Sequence, residues 1–317
     1  MAAASYEFDI VPDAKSLKDD DMVIASMGPT GSGKSNFLDK LIGGKANFAV
    51  ASLESQSSDV VAVRVKKHPL YKDSIVILDT PGFDNVLKSD LEILEMVSQW
   101  LLDVHHMKIR IKGILYFHRI TDTRVSGAPN RNMRLMGDLC GTKGAAAAVL
   151  VTTMWDQLRS DDIGIRREQD LIKNFWRDMV SNGSTVDRFF NDQKSSWDIV
   201  GKLALKDTSE VLLLLQEEIA VLNRALEETR AGQNLLAQFH RLRGTQKRQL
   251  SILESLAKSN GHNPPPDFAI RHAALSTQIK ETTAIIEKLQ VPLGRKIRLL
   301  FQRNPTGRAI VIGDSQP

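Results

Sequence analysis

Eight consecutive residues, Gly28-Pro29-Thr30-Gly31-Ser32-Gly33-Lys34-Ser35, carry the best-defined chemistry in the chain. Glycines let backbone amides turn inward without Cβ obstruction, so several N–H donors can converge on the oxygens of a polyphosphate. Lys34 has the reach for β and γ phosphates, and the Ser35 hydroxyl can ligand Mg2+. Asn36 follows at the start of a helical pattern, whose positive end adds to the attraction. The context supports the motif: residues 22–27 read as a buried strand entering the loop. Phe37, Leu38, Leu41 and Ile42 give a helix leaving it, which Gly43-Gly44 stops.

A second acidic motif, Asp79-Thr80-Pro81-Gly82, ends the apolar run 74–78. An aspartate at a strand end beside a phosphate loop can hold Mg2+ through water, and the Gly82 amide can face a γ-phosphate. Lys34 and Gly82 are therefore the candidate catalytic groups. Between the two motifs, Ser57 and Ser58 are candidates for a hydroxyl ligand to the same ion. Phe83 stands where a water-positioning glutamine is expected, so hydrolysis is expected to be slow or to depend on a partner or a dimer interface.

The run 149–151 is a further buried strand and leads into Thr152-Thr153-Met154-Trp155-Asp156. A carboxylate at that strand end can accept hydrogen bonds from guanine N1 and N2, a donor pair that adenine lacks. Asp156 is placed to do so, with Thr153 where Asn or Thr is usual. Met154 replaces the usual lysine, which keeps an ATP-using protein as the alternative.

Together the phosphate loop, Asp79-Thr80-Pro81-Gly82-Phe83 and the strand leading to Asp156 resemble septins and the immunity-associated GTPases of animals and plants. A closer resemblance is to fungal G-domain-containing P-loop proteins with helical tails, which share Tyr116-Phe117-His118-Arg119-Ile120, then Asp122 and Arg124, and also residues 152–156. The resemblance covers about residues 22–205. It implies GTP and GDP binding with Mg2+, and says little about biological role. Arg119 and Arg124 could neutralise charge in a transition state, but tethering to carboxylates such as Asp122 is the more ordinary use.

Strands at 60–65, 74–79, 114–117 and 148–151 alternate with helices at 89–104, 131–139 and 165–180. The expected fold is α/β: a three-layer P-loop NTPase G domain with a mostly parallel sheet, followed by a helical coiled-coil extension. Residues 1–20 read as a polar leader, 21–205 as the G domain, 206–290 as the extension and 291–317 as a basic, solvated tail. Leu212, Leu215, Ile219, Leu222 and Leu226 step by three and four, as do Leu275, Ile279, Thr282, Ile286 and Leu289, with a proline break at 264–266 between the two seams. Such seams can pack as a hairpin or pair between chains. A homodimer through the nucleotide face or the coiled coil is one expectation, and an assembly scaffold with little turnover is another.

The 317 residues carry a net charge of +4, too mild a field to imply nucleic acid as a partner. A single cysteine, Cys140, excludes an internal disulfide and fits a reducing compartment. The N-terminus shows no secretory pattern, and the longest apolar runs fall far short of a membrane span. A cytoplasmic protein is expected. Lys288, Arg295, Lys296, Arg298, Arg303 and Arg308 leave only a weak case for membrane-surface contact.

Overall fold

Nearly uninterrupted apolar runs build strands that are buried on both faces, which a parallel sheet covered by helices requires. The computed structural model describes residues 5–44, 48, 59–83, 88–109, 111–123, 128–208, 212–259, 267–299, 302–308 and 310. Seven strands form one sheet in the order β1-β3-β4-β2-β5-β6-β7. They are β1 (Glu7–Val11), β2 (Met22–Met27), β3 (Val61–Lys66), β4 (Ile75–Asp79), β5 (Ile111–Arg119), β6 (Ala148–Thr153) and β7 (Thr185–Arg188). Strands β4, β2, β5, β6 and β7 are parallel, while β1-β3 and β3-β4 are antiparallel. The sheet is therefore mostly parallel, and it carries the expected antiparallel pair at residues 61–64 and 76–79.

Helix α1 (Lys34–Ile42) begins after Gly33 and ends at Gly43, whose left-handed φ of 91° lets its N–H reach back to Lys40 O. Its apolar side, Phe37, Leu38, Leu41 and Ile42, is wholly buried against Leu115, Phe117, Val149 and Val151 of the sheet. Helix α2 (Asp90–His106) opens on a reciprocal cap: the Glu92 N–H donates to Ser89 Oγ, and the Ser89 N–H donates to Glu92 Oε2 at 2.8 Å. The spaced residues Leu91, Leu94, Val97 and Leu101 are all buried. Helix α3 (Ala128–Gly144) follows β5 and kinks at Gly141.

The expected continuous helix over 165–180 is broken into α4 (Asp161–Asp170), a π-helical turn at Leu171–Phe175 and the short α5 (Arg177–Ser181). Helix α6 (Gln193–Leu205) closes the sheet region and is capped by Asp192, which accepts from the Ser195 N–H at 2.7 Å.

Three regions differ from the sequence reading. Residues 7–11, within the expected leader, form edge strand β1, where Glu7 pairs with Lys67 at 2.5 Å and Asp9 with Lys66 at 3.0 Å across β3. Residues 212–226 do not form a coiled-coil seam. Helix α7 (Leu214–Gln216) is a single turn, a π-helical turn at Glu217–Val221 follows it, and Asn223 has a positive φ of 51°. Leu213, Leu214 and Leu215 are all buried, and Gln216 Nε2 donates to Leu101 O of α2 at 3.2 Å. This segment fills the first of two compact units, residues 1–223 with 304–317. Third, residues 304–308 and 310 do not extend as a solvated tail. Ile310 is buried, and its N–H donates to Gly137 O at 3.3 Å.

The second unit, residues 224–303, contains α8 (Arg230–Ser259), α9 (Phe268–Leu289) and α10 (Leu293–Leu299). Gln246 of α8 meets Thr282 of α9 at 3.0 Å, and Glu254 meets His272 at 3.2 Å. Rising numbers on one helix meet falling numbers on the other, so the pair is an antiparallel hairpin. Its second strand of contacts is the expected 275–289 seam, with Thr282, Ile286 and Leu289 buried. Arg295 is held by Glu228, its Nη2 3.0 Å from Oε2. No helix among the described residues is long and apolar enough to cross a membrane.

Arg64 of β3 and Asp21 form a buried ion pair, with Nη2 2.8 Å from Oδ2. Asp73 O and Ser16 O accept from the same guanidinium at 3.2 Å each. Replacing Asp21 by Asn would leave that cation buried without its counter-charge. A loss of about 3 kcal/mol is expected, to be read as a lowered urea midpoint with an unchanged slope.

Candidate functional site

The loop between β2 and α1 folds back tightly over the end of the sheet. Gly28 has a φ of 142°, and a Cβ there would lie 2.5 Å from Phe117 O of β5, so only glycine lets the two backbones meet. The Ser32 N–H donates to Pro29 O at 3.2 Å and closes the turn. Thr153, at the end of β6, gives its hydroxyl to Ser32 O at 2.8 Å and lies 3.4 Å from His118 O. Its side chain therefore braces the phosphate loop.

Lys34 is buried at 6% exposure, and its Nζ donates to Gly28 O at 3.0 Å and Pro29 O at 2.9 Å. These carbonyls are neutral acceptors, so a phosphate oxygen arriving in the loop would be a stronger partner for the ammonium. Ser35 Oγ donates to Asp79 Oδ2 at 2.9 Å, while Asp79 Oδ1 is buried with no hydrogen-bond partner among the described residues. Burial pushes the Asp79 pKa up; nearby Lys34 and the Ser35 hydroxyl pull it back only in part. A hydroxyl and a carboxylate with one unused oxygen, both hard oxygen donors, fit Mg2+. Ser57, the further candidate ligand, and Ser58 lie outside the described residues, as does Arg124.

The segment after Asp79 lies against the phosphate loop. Thr80 donates through its hydroxyl to Ser26 O at 2.7 Å, and Thr30 N–H donates to Phe83 O at 3.3 Å. Gly82 passes so close that a Cβ would lie 2.3 Å from Thr30 N. Phe83 is 1% exposed and bridges Pro29 in parallel. An apolar ring packed into the core thus occupies the position where a water-orienting amide was sought.

On the other side of the loop, Asp156 is exposed and accepts from Asn191 Nδ2 at 2.9 Å. Asn36 Nδ2 in turn donates to Asn191 Oδ1 at 2.9 Å, linking the first turn of α1 to the carboxylate. Asn191 was not singled out from the sequence; the signal available was an Asn-Asp pair at a helix start, and its φ of 60° is one that asparagine tolerates. Met154 also adopts a left-handed φ of 63°. Trp155 turns inward, with Nε1 3.0 Å from Thr152 Oγ1 and the Arg188 guanidinium 4.4 Å over its ring, so it packs the core.

Arg119 Nε is 3.0 Å from Asp122 Oδ1, the tether expected from the sequence, and its Nη1 lies 3.6 Å from where a Gly31 Cβ would project. Geometry thus brings together the phosphate loop, Asp79, Gly82, Asn36 and, through Asn191, Asp156.

Residues 23–126 match the family model described as 50S ribosome-binding GTPase. The fold is that of a P-loop G domain. Among solved structures, the chain is similar to Toc33 from Arabidopsis thaliana in complex with Mg2+ and GMPPNP. That similarity has 18% identity and a TM-score of 0.45, covering 63% of this chain and 88% of that one. It is also similar to an NFeoB mutant from S. thermophilus bound to GDP, with 17% identity and a TM-score of 0.39, covering 84% and 98% respectively. No curated protein matches the chain.

His118, beside this site on β5, is 1% exposed, with Nδ1 lacking a partner among the described residues and its ring edge-on to Trp176 at 5.9 Å. Burial lowers its pKa to about 4, against the pull of Asp122 and with the push of Arg119. The unfolded chain protonates this ring near pH 6.5 and the native fold refuses the proton until about 4. Stability is therefore lost as pH falls through that window and levels off below it. Urea titrations at several pH values should show this component, about 3 kcal/mol, disappear in His118→Phe while the shared carboxylate contribution remains.

Proposed function

We propose that the chain binds GTP and GDP with Mg2+ and acts as a nucleotide-dependent switch whose own hydrolysis is slow and rises on self-association or with a partner. The observation carrying this reading is the placing of buried Lys34, which donates to the Gly28 and Pro29 carbonyls, beside the Ser35–Asp79 cradle, whose second carboxylate oxygen has no hydrogen-bond partner among the described residues. One site offers a cation to phosphate and a carboxylate to a metal ion.

In this reading the amides of residues 28–35 hold the phosphates, and Lys34 leaves its carbonyl partners to take β and γ oxygens. Ser35 and Asp79 would hold Mg2+, which would supply neutralisation of the phosphate charge. The Gly82 amide faces the terminal phosphate, so its departure releases the segment 80–83 from the loop. Asp156, held by Asn191, accepts from the guanine edge, and Thr153 keeps the loop in shape. Phe83 offers no polar atom to orient water, which is why turnover is assigned to an added group. The lineage suggested by the sequence, near septins and immunity-associated GTPases, belongs to this proposal too. Met154 in place of lysine favours the second reading, an ATP-using protein with the same phosphate chemistry.

Competition binding of GTP, GDP and ATP with Mg2+ separates these readings. Lys34→Ala should weaken GTP and GDP at least about 100-fold, or about 2.7 kcal/mol, because it removes charge-assisted bonds from a dry loop. Unchanged affinity would remove the phosphate site. Asp156→Asn should cut the GTP-over-ATP preference by about 10-fold or more, with phosphate affinity largely kept. A preference unmoved by this change, or one for ATP in the unsubstituted chain, would favour the second reading.

A further inference from the structure

Thr306 sits in a short strap that the chain lays back over the first unit. Arg308 O accepts from Thr142 N–H at 2.7 Å, and Arg308 N–H donates to Thr142 Oγ1 at 3.1 Å. Gly137 and Gly141 of α3 make room for it: a Cβ at Gly137 would lie 2.6 Å from Ile310 O, and one at Gly141 3.1 Å from Arg308 O. A carboxylate also anchors the strap: Glu217, the first residue of the π-helical turn after α7. Its Oε1 accepts from Thr306 N–H at 2.8 Å and Thr306 Oγ1 at 2.7 Å, and its Oε2 from Gly307 N–H at 3.3 Å. Lys143 Nζ donates to the same Thr306 hydroxyl at 2.8 Å.

Glu217 is 6% exposed. Burial opposes its charge, but the bonds from Thr306 and Gly307, aided by Lys143, outweigh it and the pKa is lowered. The carboxylate is therefore ionised at neutral pH, and it holds the strap as an acceptor that needs donors. Thr306 itself is exposed and lies outside helix and strand, with exposed arginines three residues before it, Arg303, and two after it, Arg308. Cationic flanks around an accessible hydroxyl suit a protein kinase whose substrate groove is acidic.

We propose that Thr306 is a phosphorylation site and that its modification releases the strap from Glu217. The Thr306 oxygen bonds to the γ-phosphorus of ATP, the bond from that phosphorus to the bridging oxygen of ADP breaks, and the hydroxyl proton passes to the kinase. The anchor then loses a donor and faces a group of nearly two negative charges across the distance of a former hydrogen bond. Lys143 offers the opposing attraction, but it is exposed and screened by solvent, whereas the Glu217 charge is buried and is not. Repulsion prevails. Release uncovers the Gly137 and Gly141 side of α3 and frees Ile310, so the site controls access to that face independently of nucleotide.

The full-length chain incubated with Mg-ATP and an arginine-directed protein kinase, followed by peptide mass spectrometry and amide hydrogen exchange, tests this. Phosphate should map to Thr306, and exchange at Thr142, Thr306, Gly307 and Ile310 should speed up at least 10-fold, with the amides of β2 and β5 unchanged. Thr306→Glu should reproduce the release without kinase. Thr306→Ala, which keeps both amide bonds to Glu217, should remain docked and unmodified. Absence of phosphate at Thr306, or protection that is kept or increased in the phosphorylated chain because Lys143 captures the phosphate, overturns the proposal.

Discussion

A carboxylate withdrawn from water must find donors or a cation, and among the described residues Asp79 has only one of its two oxygens satisfied. That deficit organises the nucleotide end of the sheet. Parallel pairing of β2 with β4 sets Ser26 opposite Asp79, and the Thr80 hydroxyl locks that register by donating to Ser26 O. Lys34, the nearest compensating charge, is spent on two loop carbonyls. A buried cation and a buried carboxylate are thus held near one another in the same site. An arrangement of this kind is unfavourable for a protein standing alone and favourable for one that receives an anion and a metal ion together.

The same economy explains why the segment after Asp79 is packed so closely. Gly82 has no room for a side chain, and Phe83 seals the contact with its ring in the core. A polar residue at position 83 could not be buried there without a partner, so the tight seal and a water-orienting side chain exclude one another at this position. What the fold gains is a loop whose backbone senses Thr30 directly. What it gives up is a polar side chain at position 83.

Local signals made much of this legible. The phosphate loop and the buried strands each depend on residues within a few positions of one another, and the strands appear where apolar runs were read. Long-range partners were hidden. Strand β1 alternates Glu7-Phe8-Asp9-Ile10 but is a short edge strand, and the residues that hold its acids, Lys66 at the end of β3 and Lys67 beyond it, are distant in sequence. The leucines at 212–226 have coiled-coil spacing, yet three consecutive buried leucines cannot share one helix face. That detail was the available warning against a surface seam. Asn191 acquires meaning only through Asp156 and Asn36, residues distant in sequence. Residues 304–310 read as a basic tail because the donors of Thr306 and Gly307 are backbone and hydroxyl groups, and charge patterning does not report on them.

The helical hairpin shows a different balance between stability and definition. Apolar spacing alone would let α8 and α9 slide past each other by a turn at small cost, since leucine and isoleucine pack in several registers. The buried Gln246–Thr282 pair opposes that freedom: shifting either helix would take from the Gln246 amide its hydroxyl partner in a buried interface. Thr282 also donates back to Gln278 O at 2.8 Å, so its hydroxyl stays engaged while Gln246 supplies the selectivity. The hairpin gives up some apolar contact at its centre and in return has one register, a property that matters for an element carried between two points of the same chain.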